Sequence, residues 1–402
     1  MLSGVNVALG VTGSIAAVKT VELAHELRRR GANVRAVMSA SAQGIVHPWS
    51  VEFATGNDVV AEITGRVEHV ELCGREGWAD VLLIAPATAN TVGKIAGAID
   101  DTPVTTCATT ALGADLPVVI APAMHEPMYD HPGVLEAIDR VEGWGVSFVS
   151  PRIDEGKAKI ASEDAIALGT ARAATPSPLS GDRVVVTAGA TAESIDPVRV
   201  LTNRSSGRTG REVARACYAA GAEVTLIHAL VGPHPLGAGS EEVPPSIDLV
   251  GVESSAELSE AALEAAEGAD AYVSVAAISD YTVEREDQKI RSGQDLSLDL
   301  LPSPKVVDAV REANPGLPIV GFKTETSGED DAMVEAARTI RDRIDMAFVV
   351  ANDASVMGDE GTRVLLVDEG VTERSGTKAE IANEVVGKLA TVLVGEGESR
   401  DG

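Results

Sequence analysis

Two stretches of this chain place glycine, hydroxyl and amide groups where a phosphate could bind. Gly10-Val11-Thr12-Gly13-Ser14 joins an apolar run, Val5-Asn6-Val7-Ala8-Leu9, to a segment with helical periodicity. Backbone N–H groups at the start of such a helix can hold a phosphate, aided by the helix dipole. The same glycines suit a tight turn that needs them for steric reasons, and this motif alone does not decide between the two. Asn203-Arg204-Ser205-Ser206-Gly207 precedes a second helical segment. Ser205 or Ser206 fits an ordinary N-cap. Arg199, Arg204 and Arg208 nevertheless gather around this stretch in a very acidic chain, which favours an anion-binding nest. Neither half carries a GxGxxG fingerprint and no Walker A motif is present, so any nucleotide must be held in another way.

Two histidines stand in settings that could handle protons or a ligand. His69 lies in Val67-Glu68-His69-Val70-Glu71-Leu72; a lone histidine of this kind is more often structural or exposed than catalytic. His125 lies in Met124-His125-Glu126-Pro127-Met128, just after a strand end, where α/β sheets tend to place ligands. Cys73, Cys107 and Cys217 are scattered, form no CxxC pair and match no zinc spacing. They read as reduced thiols.

The elements that must position these groups follow the same plan twice. After the first glycine turn, the apolar spacing predicts a helix over 15–30, with Val18, Val21, Leu23 and Leu27 available for its inner face. Gly31 stops it and Val34–Met38 is the next strand. The second half repeats this logic with the strand Val184–Thr187, a long loop, a helix near Gly207–Ala220, a stop at Gly221 and the strand Val224–Ile227. Further buried strands are expected at Val81–Ala85 and Val118–Ala121, then at Ala271–Ala276, Ile319–Phe322 and Ala347–Ala351. The alternation predicts two Rossmann-like α/β domains, each built on a parallel sheet. The Pro- and Ser-bearing stretch 174–182 reads as a linker between a domain over 1–173 and another over 183–402. The Gly- and Pro-rich stretch 231–245 reads as an exposed loop.

A length of 402 residues, 45% of them hydrophobic, allows each domain a real core. The formal net charge of −28 argues against nucleic-acid or anionic-membrane partners. The acids are dispersed and only nine residues are lysine, a surface suited to concentrated salt, where screening reduces self-repulsion. No run of about 18 uncharged apolar residues occurs, so no membrane span is expected. No basic start or cleavable apolar stretch opens the chain, and the expected location is cytoplasmic.

Taken together, the motifs are more specific than any one of them. Gly13-Ser14-Ile15-Ala16-Ala17-Val18-Lys19, Ala85-Pro86-Ala87-Thr88-Ala89-Asn90-Thr91 and Pro122-Ala123-Met124-His125-Glu126-Pro127-Met128-Tyr129 resemble, in order, the flavin phosphate loop, second flavin motif and substrate motif of the homo-oligomeric flavin-containing cysteine decarboxylases. His69 matches that family's catalytic histidine. Thr187–Glu193, Asp196–Arg199, Asn203–Gly207, Ala276–Tyr281, Lys289-Ile290, Gly321-Phe322 and Ala351–Asp353 resemble phosphopantothenate–cysteine ligase. The resemblance covers nearly the whole chain and implies the fused enzyme of coenzyme A biosynthesis, of archaeal and halophilic type. It implies a flavodoxin-like N-terminal domain and a C-terminal ligase domain.

The resemblance implies the chemistry too. In the second half, CTP with Mg²⁺ would activate the carboxylate of 4′-phosphopantothenate as an acyl-nucleotide, and the amine of cysteine would then attack. Lys289 matches the residue needed to form the acyl-nucleotide. Arg199, Asn203 and Ala277 match positions tied to its conversion, and Asp280 and Phe322 match nucleotide contacts. Gly189, Ser205, Ser206 and Gly207 join these around the phosphates, and Lys323 or one of Arg338, Arg341 and Arg343 could take a further phosphate. In the first half, the expected cofactor is FMN, held by Gly13, Ser14, Ile15, Ser39, Thr88 and Asn90. It would provide an electron sink for loss of CO₂ from 4′-phospho-N-pantothenoylcysteine. His69 is the expected base and His125 the substrate-carboxylate contact. Trimeric flavin cores and paired ligase domains, giving a dodecamer, are the implied assembly.

Two departures stand out. His125 occupies a place where bacterial relatives usually have Asn. The stretch 151–159 has no counterpart of the bacterial lid cysteine that serves as an acid, and Lys157 and His125 are the candidates to replace it. The missing thiol is the feature that favours a second possibility, an active ligase joined to a vestigial or regulatory flavin domain. A flavin prenyltransferase would leave the second half unexplained.

Overall fold

The computed structural model describes residues 1–154, 157–229, 243–293, 295–325, 329–353 and 361–400. The chain divides into two compact units, Met1–Pro176 and Ser177–Gly402. Of the expected loop 231–245, residues 231–242 lie outside the described residues, as do Glu155 and Gly156 of the stretch 151–159.

The strands of the first unit are β1 (Asn6–Val11), β2 (Asn33–Met38), β3 (Val81–Ala87), β4 (Val118–Pro122), β5 (Met124–His125), β6 (Ser147–Phe148), β7 (Arg152–Asp154) and β8 (Lys157–Lys159). Five of them form a parallel sheet in the order β2-β1-β3-β4-β6. This is the 2-1-3-4-5 order of flavodoxin-like folds, whose strand order reverses between β1 and β3. β3 is buried along its whole length, because helices cover both faces of a parallel sheet. Leu82, Ile84 and Ile120 pack on one face with Val92, Val104 and Cys107 of the crossover helices. β5, β8 and β7 make a separate antiparallel sheet.

The helix expected over 15–30 is Thr20–Arg29, preceded by a 3₁₀ turn over Ile15–Lys19. Leu23 and Leu27 face the core as predicted, whereas Val18 is 58% exposed. The cause is pitch: the tighter 3₁₀ turn advances each side chain farther around the axis, so the α-helical phase does not extend back through Val18.

The second unit contains β9 (Arg183–Gly189), β10 (Ala192–Ser194), β11 (Val200–Thr202), β12 (Glu223–Ala229), β13 (Asp248–Val252), β14 (Ala271–Ser274), β15 (Tyr281–Val283), β16 (Leu300–Pro302), β17 (Ile319–Glu325), β18 (Phe348–Asp353), β19 (Gly361–Val367) and β20 (Val371–Thr377). Its main sheet runs β13-β12-β9-β14-β17-β18-β19-β20. The parallel part, β13 to β18, has the 3-2-1-4-5-6 order of dinucleotide-binding folds, with its reversal between β9 and β14. β19 and β20 extend it antiparallel, a refinement of the expected parallel sheet. The expected helix near 207–220 is Arg208–Ala219, and Gly221 follows it at φ +102°. Leu179, inside the expected linker, is fully buried, and its N–H donates to Ala220 O at 2.9 Å. Among the described residues, no helix is long and apolar enough to cross a membrane.

Candidate active sites of the two units

In the first unit, the ends of β1, β2, β3 and β4 bring the expected flavin contacts to one edge of the sheet. The hydroxyl of Thr12 donates to Pro86 O at 2.7 Å and accepts from the N–H of Thr88 at 3.2 Å, lacing β1 to β3 across the reversal. Ser14 donates to Ala123 O at 3.0 Å, which ties the glycine turn to the end of β4. Its oxygen also accepts from Ala16 N–H, so it caps the first turn. Ser39 caps the short helix Ala40–Gln43 and lies 3.1 Å from the Ser41 hydroxyl. A Cβ on Gly13 would come within 2.4 Å of Ser41 Oγ, so glycine is required by this close approach. Thr88 caps the helix Ala89–Ala96, and Asn90 stands exposed on its first turn.

This edge fits an anionic flavin. It presents a cradle too tight for any side chain at Gly13, and the helix starts at Ile15 and Ala89 leave N–H groups without helical acceptors. Ile15 is 78% exposed beside it.

His69 sits in the first turn of the helix Glu68–Cys73. That turn is entered through Val67 at φ 53°, a left-handed conformation unusual for a β-branched residue. Thr64 supports the strained entry: its N–H donates to Glu68 Oε2 at 2.8 Å and its hydroxyl to Oε1. These bonds hold the Glu68 carboxyl below its usual range. His69 Nδ1 is buried with no hydrogen-bond partner in the structure. No bond among the described residues joins His69 to the Gly13–Ser14 loop. His125 is exposed, makes no capping bond, and pairs through its backbone with Lys157 in the β5–β8 ladder.

The cysteines take no part in either site. All three are buried and free. A hydrogen bond to Cys107 and burial raise the Cys73 thiol, and burial pushes Cys217 up to about 12. Among the described residues, no group of three His, Cys, Asp or Glu side chains could hold a metal.

In the second unit, the reversal between β9 and β14 collects Gly189, Asn203, Gly207 and Ala277. Ala277 N–H donates to Gly189 O at 2.8 Å and Thr191 N–H to Ala277 O at 3.3 Å. Asn203 Nδ2 donates to the carbonyls of Ala277 and Ile278, at 3.2 and 3.3 Å. Both amide hydrogens are thus engaged, and the side chain must turn before it can donate to an acyl oxygen.

Gly207 opens the helix Arg208–Ala219 at φ +71°, and its N–H donates to the Ser205 hydroxyl at 3.4 Å. An added Cβ would meet His228 Nε2 at 2.6 Å and Gly189 N at 2.9 Å. Beneath the loop, buried Arg211 donates to Ser206 O at 2.9 Å and approaches His228 Nε2 at 3.0 Å. His228 Nδ1 donates to Ala229 O, so Nε2 carries the lone pair that faces the guanidinium. Burial, and then the Arg211 cation, push His228 down to about 4. Neither Arg211 nor His228 was legible as a support of this loop, because nothing in the sequence joins them to it.

Among the described residues, no recorded bond brings the other expected residues to this cluster. Asp280 is exposed and pairs with Lys305 Nζ at 2.8 Å. Phe322 lies on β17, the sheet neighbour of β14, with no recorded bond to Asn203 or Ala277. Lys323 pairs with Glu325, Arg341 with Asp342 and Arg343 with Asp308, whereas Arg338 is exposed and makes no recorded ion pair among the described residues. Arg199 is paired with buried Asp196 and also donates to Ile290 O, next to exposed Lys289. Each of the two sheets thus has a glycine-bearing helix start at its reversal, the kind of backbone that can hold a phosphate.

Residues 1–174 match the family described as Flavoprotein, and residues 179–393 match the DNA/pantothenate metabolism flavoprotein C-terminal domain. The "Coenzyme A biosynthesis bifunctional protein CoaBC" of Thermococcus kodakarensis is 46% identical over 399 residues, 98% of this chain and 96% of that protein. The protein of the same name from Methanocaldococcus jannaschii is 34% identical, over 98% of this chain and 95% of its own length. That of Haemophilus influenzae is 32% identical, over 96% and 98%.

Proposed function

This chain belongs to the family of bifunctional coenzyme A biosynthesis proteins, a flavoprotein decarboxylase fused to a ligase, and we propose that it makes 4′-phosphopantetheine from 4′-phosphopantothenate and cysteine with CTP and FMN. The observation that carries the proposal is the convergence of Gly189, Asn203, Gly207 and Ala277 at the reversal of the second sheet. The decarboxylase would occupy 1–173 and the ligase 183–402, joined through 174–182.

In the ligase, the carboxylate of 4′-phosphopantothenate attacks the α-phosphorus of CTP, and pyrophosphate leaves. Mg²⁺ bound to the triphosphate would supply counter-charge for its oxygens. The Ser205–Gly207 turn holds phosphate oxygens by backbone N–H groups, and Asp280 and Phe322 contact the nucleoside. Lys289 brings positive charge to the α-phosphate, where negative charge develops. Cysteine's amine then displaces CMP from the acyl carbon, with Asn203 turned from Ala277 to face the acyl oxygen and Arg199 beside it.

In the decarboxylase, Gly13, Ser14, Ile15, Ser39, Thr88 and Asn90 would hold FMN. Bound FMN supplies a reversible two-electron oxidation at the cysteinyl carbon that bears sulfur, which gives CO₂ loss an electron sink. His69 takes the proton from the substrate, through the ring whose Nδ1 is otherwise unpartnered. His125 binds the substrate carboxylate, and it or Lys157 returns the final proton.

Exposed Ile15, Val18, Trp49 and Phe53 in the first unit, and Tyr281, Leu298, Leu300 and Leu301 in the second, support assembly into a homo-oligomer; its trimeric flavin cores and paired ligase domains rest on the resemblance alone. Cytoplasmic location and a working environment of concentrated salt complete the reading. Flavin released from the purified protein should have the mass of FMN, and pyrophosphate release should be faster with CTP than with ATP. A different flavin, or a preference for ATP, would contradict the corresponding part.

A further inference from the structure

Lys289 is exposed, and its side chain makes no recorded bond among the described residues. Its position is set through the backbone of the next residue, and one buried carboxylate holds that backbone. Asp196 lies in the turn between β10 and β11 and is 1% exposed. Its Oδ1 accepts the N–H groups of Val198 and Arg199, both at 2.8 Å. Its Oδ2 accepts the N–H of Ile290 at 3.1 Å and a hydrogen of Arg199 Nη1. Arg199 Nη2 donates to the carbonyl of the same Ile290 at 3.1 Å. Asp196 and Arg199 thereby clasp both backbone polar groups of the residue after Lys289. Glu286 N–H, donating to Ile195 O at 2.9 Å, fixes the other end of that segment.

The two oxygens do different work. Oδ1 makes the local turn that Asp forms with the N–H groups two and three residues on. Had Asp196 served the turn alone, one oxygen would have sufficed. Oδ2 instead reaches across 94 residues of sequence. Burial of a carboxylate is costly unless donors surround it. Here burial tends to raise its pKa, but the N–H groups of Val198, Ile290 and Arg199 and the Arg199 cation outweigh that and hold it below the ordinary carboxylate range.

We propose that Asp196 is a positioning residue shared by both steps of the ligase reaction, setting with one carboxylate the Arg199 guanidinium and the backbone that carries Lys289. The inference rests on the ligase reading above, in which Lys289 serves formation of the acyl-nucleotide and Arg199 its conversion. Each of those residues acts on substrate in one step, whereas Asp196 supports both steps without touching substrate.

Asp196→Asn isolates the second oxygen. The amide keeps one carbonyl oxygen for the local turn and puts hydrogens where the N–H of Ile290 and the Arg199 guanidinium now donate. The full chain is given 4′-phosphopantothenate, CTP and Mg²⁺ without cysteine, and pyrophosphate and acyl-nucleotide are followed. Cysteine is then added and the chase to product is timed. Limited trypsin cleavage is followed by mass, since the Lys289–Ile290 bond is itself a trypsin site. In D196N both steps should slow roughly tenfold to hundredfold, as misplacement of catalytic groups does. Cleavage after Lys289 and the neighbouring Arg291 should accelerate about tenfold, in proportion to the opening of the clasp, while sites outside this segment are cut as before. Lys289→Gln should stop only the first step, and Arg199→Gln should slow the second step more than the first, because it removes the direct contact and only one of the two bonds of the clasp. D196N slowing one step alone, leaving both unchanged, or raising cleavage evenly across the unit would overturn the proposal. A wild-type chain that releases no pyrophosphate would instead sink the ligase reading, and with it the shared role. Cleavage after Lys289 would still report whether the clasp exists.

Discussion

Asn203 Nδ2 donates to the carbonyl of Ala277 at 3.2 Å, across the point where the second sheet reverses its strand order. The bond joins the loop before a helix to the end of a strand 74 residues away. It keeps the amide at the mouth of the proposed acyl site while committing its hydrogens to protein. Asn203→Ala should lower ligation about a hundredfold, the usual effect of losing one donor to a developing oxyanion. Asn203→Asp should be at least as harmful, because a carboxylate would face the carbonyls of Ala277 and Ile278. Product formation from 4′-phosphopantothenate and cysteine measures both, and full activity of the Asp variant would contradict the role.

Gly207→Ala should destabilise the second unit by about 1–3 kcal/mol, because a side chain is strained at positive φ and here also meets His228 and the Gly189 backbone. Hydrogen exchange in β9 and β12 reads this directly. All three tryptophans, Trp49, Trp78 and Trp144, lie in the first unit, so their fluorescence should not change. Unaltered exchange would mean that the loop shifts at little cost.

The turn chemistry of both sites was legible in the sequence because it is local. Gly13-Ser14 and Asn203–Gly207 each announce a helix start through residue types a few positions apart, and the structure puts both at sheet reversals. The supports were not legible, because they are long-range: Asp196 meets Ile290 and Arg211 meets His228 only after the sheet has formed. Strand direction was also hidden. An apolar run such as Val364–Val367 reads the same whether its partner is parallel or antiparallel, so the β19–β20 edge emerged only in the structure. Val18 failed as a core residue because periodicity cannot distinguish a 3₁₀ turn from the α-helix it precedes.

His228 gives the second unit a pH dependence of known sign. Its proton affinity is lower when folded, about 4, than the ordinary value of 6.5, so the unfolded chain binds the proton first. Stability is therefore undiminished above about pH 6.5 and falls as pH drops towards 4. At about 1.4 kcal/mol per pH unit the loss is roughly 3 kcal/mol. Urea unfolding followed by hydrogen exchange, from pH 7.5 to 4.5, should show this slope in the wild type and a flatter one in His228→Gln. Identical slopes would contradict the assignment.

Gly13→Ala should strip flavin from the first unit, since the new Cβ would lie 2.4 Å from Ser41 Oγ and 2.5 Å from Ser41 Cβ. Adding Ser41→Gly removes both atoms and should restore part of the flavin. The ratio of flavin absorbance to protein measures it. A Gly13→Ala protein with full flavin would show that the loop yields without cost.

The most direct test is end-to-end turnover. The purified protein in molar KCl is given 4′-phosphopantothenate, cysteine, Mg²⁺ and either CTP or ATP, with products followed by mass. The wild type should make 4′-phosphopantetheine with CTP, and His69→Asn should accumulate 4′-phospho-N-pantothenoylcysteine. Accumulation of that intermediate by the wild type would contradict the decarboxylase half, and no product with either nucleotide would contradict the whole.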